Sequence, residues 1–207
     1  MARDLSSKQR SDDPRHQGPK DVSGQAPISH PGTEKEMTPQ SDHGETSYRG
    51  YNRLQNKVAL ITGADSGIGR AVAIAYAREG ADVVISYLSE HGDAHETVEW
   101  VQRAGRRALP IPGDIQEERH CLSLIERTYR EFGRLDILVN NAAFQMEHEG
   151  LHEVTSEEFE RTFRTNVFAM FWLSKAALSK MQSGSVILNT SSIQAYNPDL
   201  LPETCST

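Results

Sequence analysis

From residue 56 onward the chain alternates two patterns: short apolar runs suited to strands buried on both faces, and longer stretches whose apolar residues recur at helical spacing. Residues 58–61, Val-Ala-Leu-Ile, predict a first strand, and residues 68–78 a first helix closed by Gly80. Further strands are expected at 82–87, 106–111, 136–139 and 185–188. Helices are expected at 91–104 and 115–132, stopped by Gly105 and Gly133. Residues 156–181 form a long helical region, either one helix or two broken near Thr165. A β-α-β unit repeated in this way makes an α/β chain with a parallel sheet.

Residues 1–50 break the pattern. They carry five of the nine prolines, mixed charges and only scattered apolar positions, too few to offset the entropy of ordering them. The domain division is therefore a disordered polar leader at 1–50 and one globular domain at 51–207. The leader is either an arm that wraps a neighbouring subunit, its end anchored by Tyr48, Tyr51 and Leu54, or a passive solubilising segment. With a net charge of -7 and a pI near 5.6, the chain lacks the broad positive surface that grips nucleic acid or an anionic membrane. Cys121 and Cys205 form neither a C-x-x-C pair nor a disulfide framework, and no apolar run approaches spanning length or the core of a signal peptide. A soluble cytoplasmic protein is the expectation.

Directly after the first strand comes Thr62-Gly-Ala-Asp-Ser-Gly-Ile-Gly69, a glycine-rich turn opening a helix. Gly63 suits the tight turn, Gly67 lets backbone approach a pyrophosphate, and Gly69 allows close packing of helix on strand. The helix N-terminus offers N–H groups and positive dipole to phosphate.

This G-x-x-x-G-x-G spacing, with Asn140-Asn-Ala-Ala143 after the fourth strand, resembles the short-chain dehydrogenase/reductase family. Asp114 after the third strand, Asn166 in the long helix and Ile187-Leu-Asn-Thr-Ser-Ser192 extend the resemblance over about 57–198. The wording of the glycine turn and Ser192-Ile-Gln-Ala-Tyr196 are similar to the bacterial branch often labelled glucose or alcohol dehydrogenase-like. The resemblance implies a Rossmann-type doubly wound parallel sheet of order 3-2-1-4-5, without the family's last strands and helices. It also implies hydride transfer between a nicotinamide cofactor and an alcohol or carbonyl. By the same resemblance Gly63, Ser66, Ile68 and Gly69 hold the pyrophosphate, Asp114 and Ile115 border the adenine, and Asn140 and Ala142 lie along the ribose and nicotinamide.

Cofactor choice depends on the end of the second strand, where Tyr87 stands in place of a carboxylate that would bind the ribose 2′-OH of NAD. With Arg70 near the turn, the balance leans to NADP over NAD, while Asp65 pulls the other way. The family's catalytic Ser and Asn match Ser192 and Asn166. Its Tyr-x-x-x-Lys pair matches nothing: the family spacing lands on Cys205, and the Lys would lie beyond Thr207. A truncated chain that binds dinucleotide without catalysing is thus the alternative expectation.

His91 with His95, and His148 with His152, would share helix faces, but no third ligand joins them and no metal is expected. Cys121 lies on the apolar rhythm of its helix and is expected to be packed in the core. Phe163, Val167, Phe168, Met170, Phe171, Trp172 and Leu173 make an apolar face wide enough both to cover the sheet and to meet a second subunit, as the family's dimers and tetramers imply.

Overall fold

The computed structural model describes residues 41–146, 148 and 150–192. Five parallel strands, β1 (Val58–Thr62), β2 (Asp82–Tyr87), β3 (Ala108–Pro112), β4 (Ile137–Asn140) and β5 (Val186–Asn189), form one sheet of order β3-β2-β1-β4-β5. This is the doubly wound order that the family resemblance implies. β1 is central and buried along its whole length, in register with β2 through Leu60↔Val84 and with β4 through Leu60↔Leu138.

Because side chains alternate across a strand, β1 supplies two cores. Ala59 and Ile61, with Val83 and Ile85 of β2, pack beneath α1 (Gly67–Arg78) and α2 (His91–Arg103), which contribute Ala73, Ala77, Val98 and Val101. Leu60, Val84 and Leu138 face the other way, onto α3 (Glu118–Phe132) and α5 (Ala169–Leu178), where Leu124, Ile125 and Leu173 meet them. Cys121 belongs to this second core as expected; its Sγ lies 3.2 Å from the Ile115 carbonyl, and burial pushes its thiol pKa up to about 12.

The long helical region is neither a single α-helix nor a broken pair. α4 (Ser156–Phe163) runs into α5 through one π-helical stretch, Arg164–Phe168, so the backbone stays helical where a break near Thr165 was one expectation. α3 starts at Glu118, later than expected, because the Asp114 carboxylate accepts the Gln116 N–H and makes a turn of residues 114–117. β3 starts at Ala108 because the Arg106 N–H closes the end of α2 on the Val101 carbonyl.

Residues 41–56, which include the end of the expected leader, are docked on the carboxyl end of α1. The Glu79 carboxylate, 3% exposed, accepts the Tyr48 hydroxyl at 2.5 Å, the Tyr51 and Arg53 N–H groups at 2.9 and 3.0 Å, and the Arg53 guanidinium. Arg78 donates to the carbonyls of Gly44, Glu45 and Tyr48. Leu54 packs against the first core, whereas the Tyr51 ring is 78% exposed, so Tyr51 anchors through its backbone alone.

At the same amino-terminal edge of the sheet, Asp136 pairs the start of β1 with β4. Its carboxylate accepts the Val58 N–H at 2.9 Å and both Arg134 guanidinium donors at 2.7 and 2.6 Å. Burial pushes its pKa up, but Arg134 and the Val58 N–H outweigh that, so the net position is below the usual carboxylate range. Asp136→Ala leaves a buried backbone N–H unpaired and should cost about 2 kcal/mol in urea denaturation at neutral pH. A depressed folded-state pKa stabilises above the unfolded value of about 4 and is lost as the pH falls below it. The deficit of the variant should therefore shrink in acid; a deficit unchanged at low pH would contradict this assignment.

Candidate active site

All five strands end on the same edge of the sheet, and the chain jumps there from β1–β2–β3 to β4–β5, leaving a crevice between β1 and β4. The glycine turn lies over it. Gly63 has φ +62°, and a Cβ there would stand 3.0 Å from the Ala142 Cα. At Gly69 a Cβ would stand 1.9 Å from the Gly63 carbonyl oxygen, so the first helical turn rests on the turn backbone. Gly67, at φ +49°, would meet nothing within 4 Å. Two of the three glycines are therefore packed against the domain, and a Cβ at the middle one would meet open space.

Gly67 and Ile68 are exposed and Ser66 half-buried, with the Ile68 side chain 66% exposed. Ser66 is the N-cap of α1, and its side chain caps none of the first-turn N–H groups. The turn thus presents helix N–H groups and dipole outward, the arrangement that accepts a phosphate.

Thr62 holds this arrangement together, and sequence reasoning missed it. Its hydroxyl accepts the N–H groups of Asn141 and Ala142 at 2.9 and 3.0 Å, while the Asn141 amide donates back to the Thr62 carbonyl at 3.2 Å. The available signal was a hydroxyl residue at the end of an otherwise aliphatic strand. Thr190 extends the clasp to β5: its N–H donates to the Asn140 carbonyl at 2.9 Å, and its hydroxyl lies 3.1 Å from the Asn141 side-chain oxygen.

Arg70 does not stand by the ribose as expected. It is 5% exposed and points behind the turn, donating to the Asp65 carbonyl at 2.8 Å, the Thr97 hydroxyl at 3.1 Å and the Asp93 carbonyl at 3.0 Å. It pins the glycine turn to α2. Asp65 is buried beside it, and that burial, reinforced by the charges of Glu90 and Asp93, raises its carboxyl pKa to about 6.

Tyr87 ends β2 with its hydroxyl 3.0 Å from His91 Nδ1, and its carbonyl accepts the Gly113 N–H at 2.9 Å. Asp114 follows β3, its carboxylate engaged by the Gln116 backbone and amide at 2.9 to 3.2 Å. The Ile115 side chain packs in the second core, so at that position only backbone remains to border a ligand. The Asn140 side chain is 2% exposed and bridges β4 to β5 and α5, its Nδ2 donating to Asn189 Oδ1 at 2.8 Å and approaching Ser174 Oγ at 3.3 Å.

Asn166 sits in the π-helical stretch, and its side chain makes two 2.8 Å hydrogen bonds with the backbone N–H and carbonyl of Phe144. Its amide fastens the loop after β4 instead of standing open to solvent. Ser192 is exposed and leaves β5 on the same edge as the glycine turn. Tyr196 and Cys205 lie outside the described residues.

The histidine pairs do not converge. His91 is bonded to Tyr87, His95 faces Glu99 at 3.5 Å, and His148 bridges Glu158 at 2.6 Å and Glu153 at 3.6 Å. Among the described residues no group of three or more His, Cys, Asp or Glu side chains could hold a metal ion.

A parallel sheet of order 3-2-1-4-5 with an outward-facing glycine turn at its switch point defines a Rossmann-type α/β domain. The chain belongs to the short-chain dehydrogenase family, whose model, described as short chain dehydrogenase, matches residues 57–201. Among curated relatives it is 47% identical over 190 residues to general stress protein 39 of Bacillus subtilis, covering 91% of this chain and 66% of that protein. It is 40% identical over 184 residues to the chloroplastic NADPH-dependent aldehyde reductase 1 of Arabidopsis thaliana, covering 85% of this chain and 64% of that protein. Among solved structures, a short-chain dehydrogenase from Burkholderia cenocepacia in complex with NADP aligns with TM-score 0.68 and 36% identity, over 70% of this chain and 59% of that one. The chain spans 66% and 64% of the length of these two curated relatives. No helix among the described residues is long and apolar enough to cross a membrane.

The His148 bridge ties the loop after β4 to α4, where the Arg161 guanidinium also lies 3.9 Å from the centroid of the Phe144 ring. The hydrogen bond to Glu158 raises the His148 pKa. A raised histidine stabilises fully below its unfolded value of about 6.5 and stops doing so as the pH rises through the folded value. Hydrogen exchange in residues 143–155, corrected for the intrinsic pH dependence, should therefore be slowest in mild acid and accelerate above neutral pH. His148→Gln should abolish that pH dependence; if the variant keeps it, His148 is not its source.

Proposed function

We propose that the chain carries the cofactor site of an NAD(P)-dependent oxidoreductase that transfers a hydride between a nicotinamide and the carbon of an alcohol or carbonyl substrate. NADP is the favoured cofactor. The observation that carries this reading is the glycine turn, where two glycines are required by packing and the third opens the helix N-terminus to solvent. NADP is favoured because the Burkholderia relative was solved with it and the Arabidopsis relative is named for NADPH.

Gly63, Ser66, Gly67, Ile68 and Gly69 would hold the pyrophosphate, with first-turn N–H groups neutralising its charge. Tyr87, Asp114 and the Ile115 backbone would frame the adenosine, and Asn140 and Ala142 the nicotinamide ribose. The bound nicotinamide supplies or accepts the hydride. Ser192 would polarise the substrate oxygen. With its amide bonded to Phe144, Asn166 would hold a proton-relay water only through its main chain. No described residue matches the Tyr-x-x-x-Lys pair by which the family moves the proton to or from the substrate.

The apolar band along α4, the π-helical stretch and α5, where Phe159, Phe163, Val167, Phe168 and Phe171 are 41% to 60% exposed, supports association with a second copy. The cytoplasm suits the free thiol of Cys121.

Titrating the full chain with NADPH and NADH and following cofactor fluorescence tests the reading. Saturable binding is expected, tighter for NADPH. Gly69→Ala, whose Cβ collides with the Gly63 carbonyl, should weaken both by at least about tenfold. A folded chain that binds neither cofactor would overturn the assignment.

A further inference from the structure

The corner where β2 meets α2 holds the chemistry that could tell an adenosine 2′-phosphate from a 2′-hydroxyl, and the cation suggested by sequence is absent from it. Arg70 is buried against the Asp65 and Asp93 carbonyls and Thr97. Glu90 is folded back on its neighbour, accepting the Ser89 N–H at 3.1 Å and the Ser89 hydroxyl at 2.7 Å. One turn further along α2, His95 is directed at Glu99.

His91 differs from all of these. It is exposed, it is the first residue of α2, and its ring is set edge-on to Tyr87 with centroids 5.6 Å apart and planes at 88°. The Tyr87 hydroxyl lies 3.0 Å from Nδ1. That bond orients the imidazole and leaves Nε2 as the other ring nitrogen. A protonated imidazole donates from both nitrogens, so Nδ1–H can serve the Tyr87 oxygen while Nε2–H serves a phosphate oxygen.

We infer that His91, oriented by Tyr87 at the end of β2, reads the adenosine 2′ position and selects a cofactor bearing a 2′-phosphate. The inference rests on the proposed cofactor site and adds to it the residue that sets its preference. Neutral imidazole or an amide at this place would make one directed hydrogen bond to a 2′-hydroxyl as readily as to phosphate. Positive charge is what separates the two ligands.

Adenosine 2′,5′-bisphosphate and adenosine 5′-monophosphate differ only at the 2′ position, and calorimetric titration of the full chain with each tests the inference without turnover. The wild type should bind the bisphosphate more tightly. His91→Asn should weaken the bisphosphate about tenfold and leave the monophosphate within about twofold, while His91→Arg should keep the preference. Tyr87→Phe, which retains the ring and removes the orienting hydroxyl, should lose part of it. A preference that survives His91→Asn, or a wild type that binds both ligands equally, overturns the role of His91 and leaves the cofactor site standing. A wild type that binds neither ligand overturns the cofactor site itself. Should the Asn variant fail to fold, the Arg and Phe variants decide the matter: a preference lost in His91→Arg, or unchanged in Tyr87→Phe, refutes the assignment.

Discussion

The hydroxyl of Thr62 is the contact on which the site depends. It ends the central strand at the sheet's switch point, is 2% exposed, and accepts two backbone N–H groups from the loop that leaves β4. Without it these two neighbouring N–H groups would lose their shared acceptor, at a cost of about 1 kcal/mol or more each. With it, the glycine turn after β1 and the Asn140–Ala142 segment after β4 become one rigid unit. The short distances around Gly63 and Gly69 follow from that union: Ala142 packs under one glycine, and the Gly63 carbonyl under the other.

Charge around the turn is arranged in two layers. Buried beneath it, Arg70 donates to two carbonyls and a hydroxyl and lies against the Asp93 and Glu96 carboxylates, so its role is to hold the turn against α2. At the surface the turn carries helix N–H groups and no acidic side chain in the first turn of α1. The fold thus keeps its fixed cation for structure and offers neutral donors to the ligand.

Much of this was legible in the sequence because the responsible signals are local. Apolar runs buried on both faces announced β1, β2 and β4, and the spacing of Gly63 and Gly69 marked the two positions where a Cβ would meet backbone. What escaped was non-local. The exchange of hydrogen bonds between Thr62 and Asn141 joins residues 79 apart, and the docking of Tyr48 on Glu79 joins residues 31 apart, so neither leaves a periodic trace. Arg70 was misplaced for a related reason: one turn into a helix, its side chain can point forward to a ligand or backward to α2, and only the packing of Thr97 and Asp93 decides. The sequence marked an irregularity near Thr165, and the structure places a π-helical stretch, Arg164–Phe168, there; its wider hydrogen-bond ring leaves no residue signature of its own.

Replacing Thr62 by Val keeps the shape of the side chain and removes the hydroxyl that accepts both N–H groups of the β4 loop, leaving the hydrogen bond from the Asn141 amide to the Thr62 carbonyl in place. Fluorescence titration of Thr62→Val with NADPH is therefore the most direct test. Cofactor affinity should fall by about tenfold while the far-ultraviolet circular dichroism of the sheet and helices is retained. Wild-type affinity in a folded Thr62→Val protein would show that the glycine turn holds its geometry without the clasp, and would contradict the account.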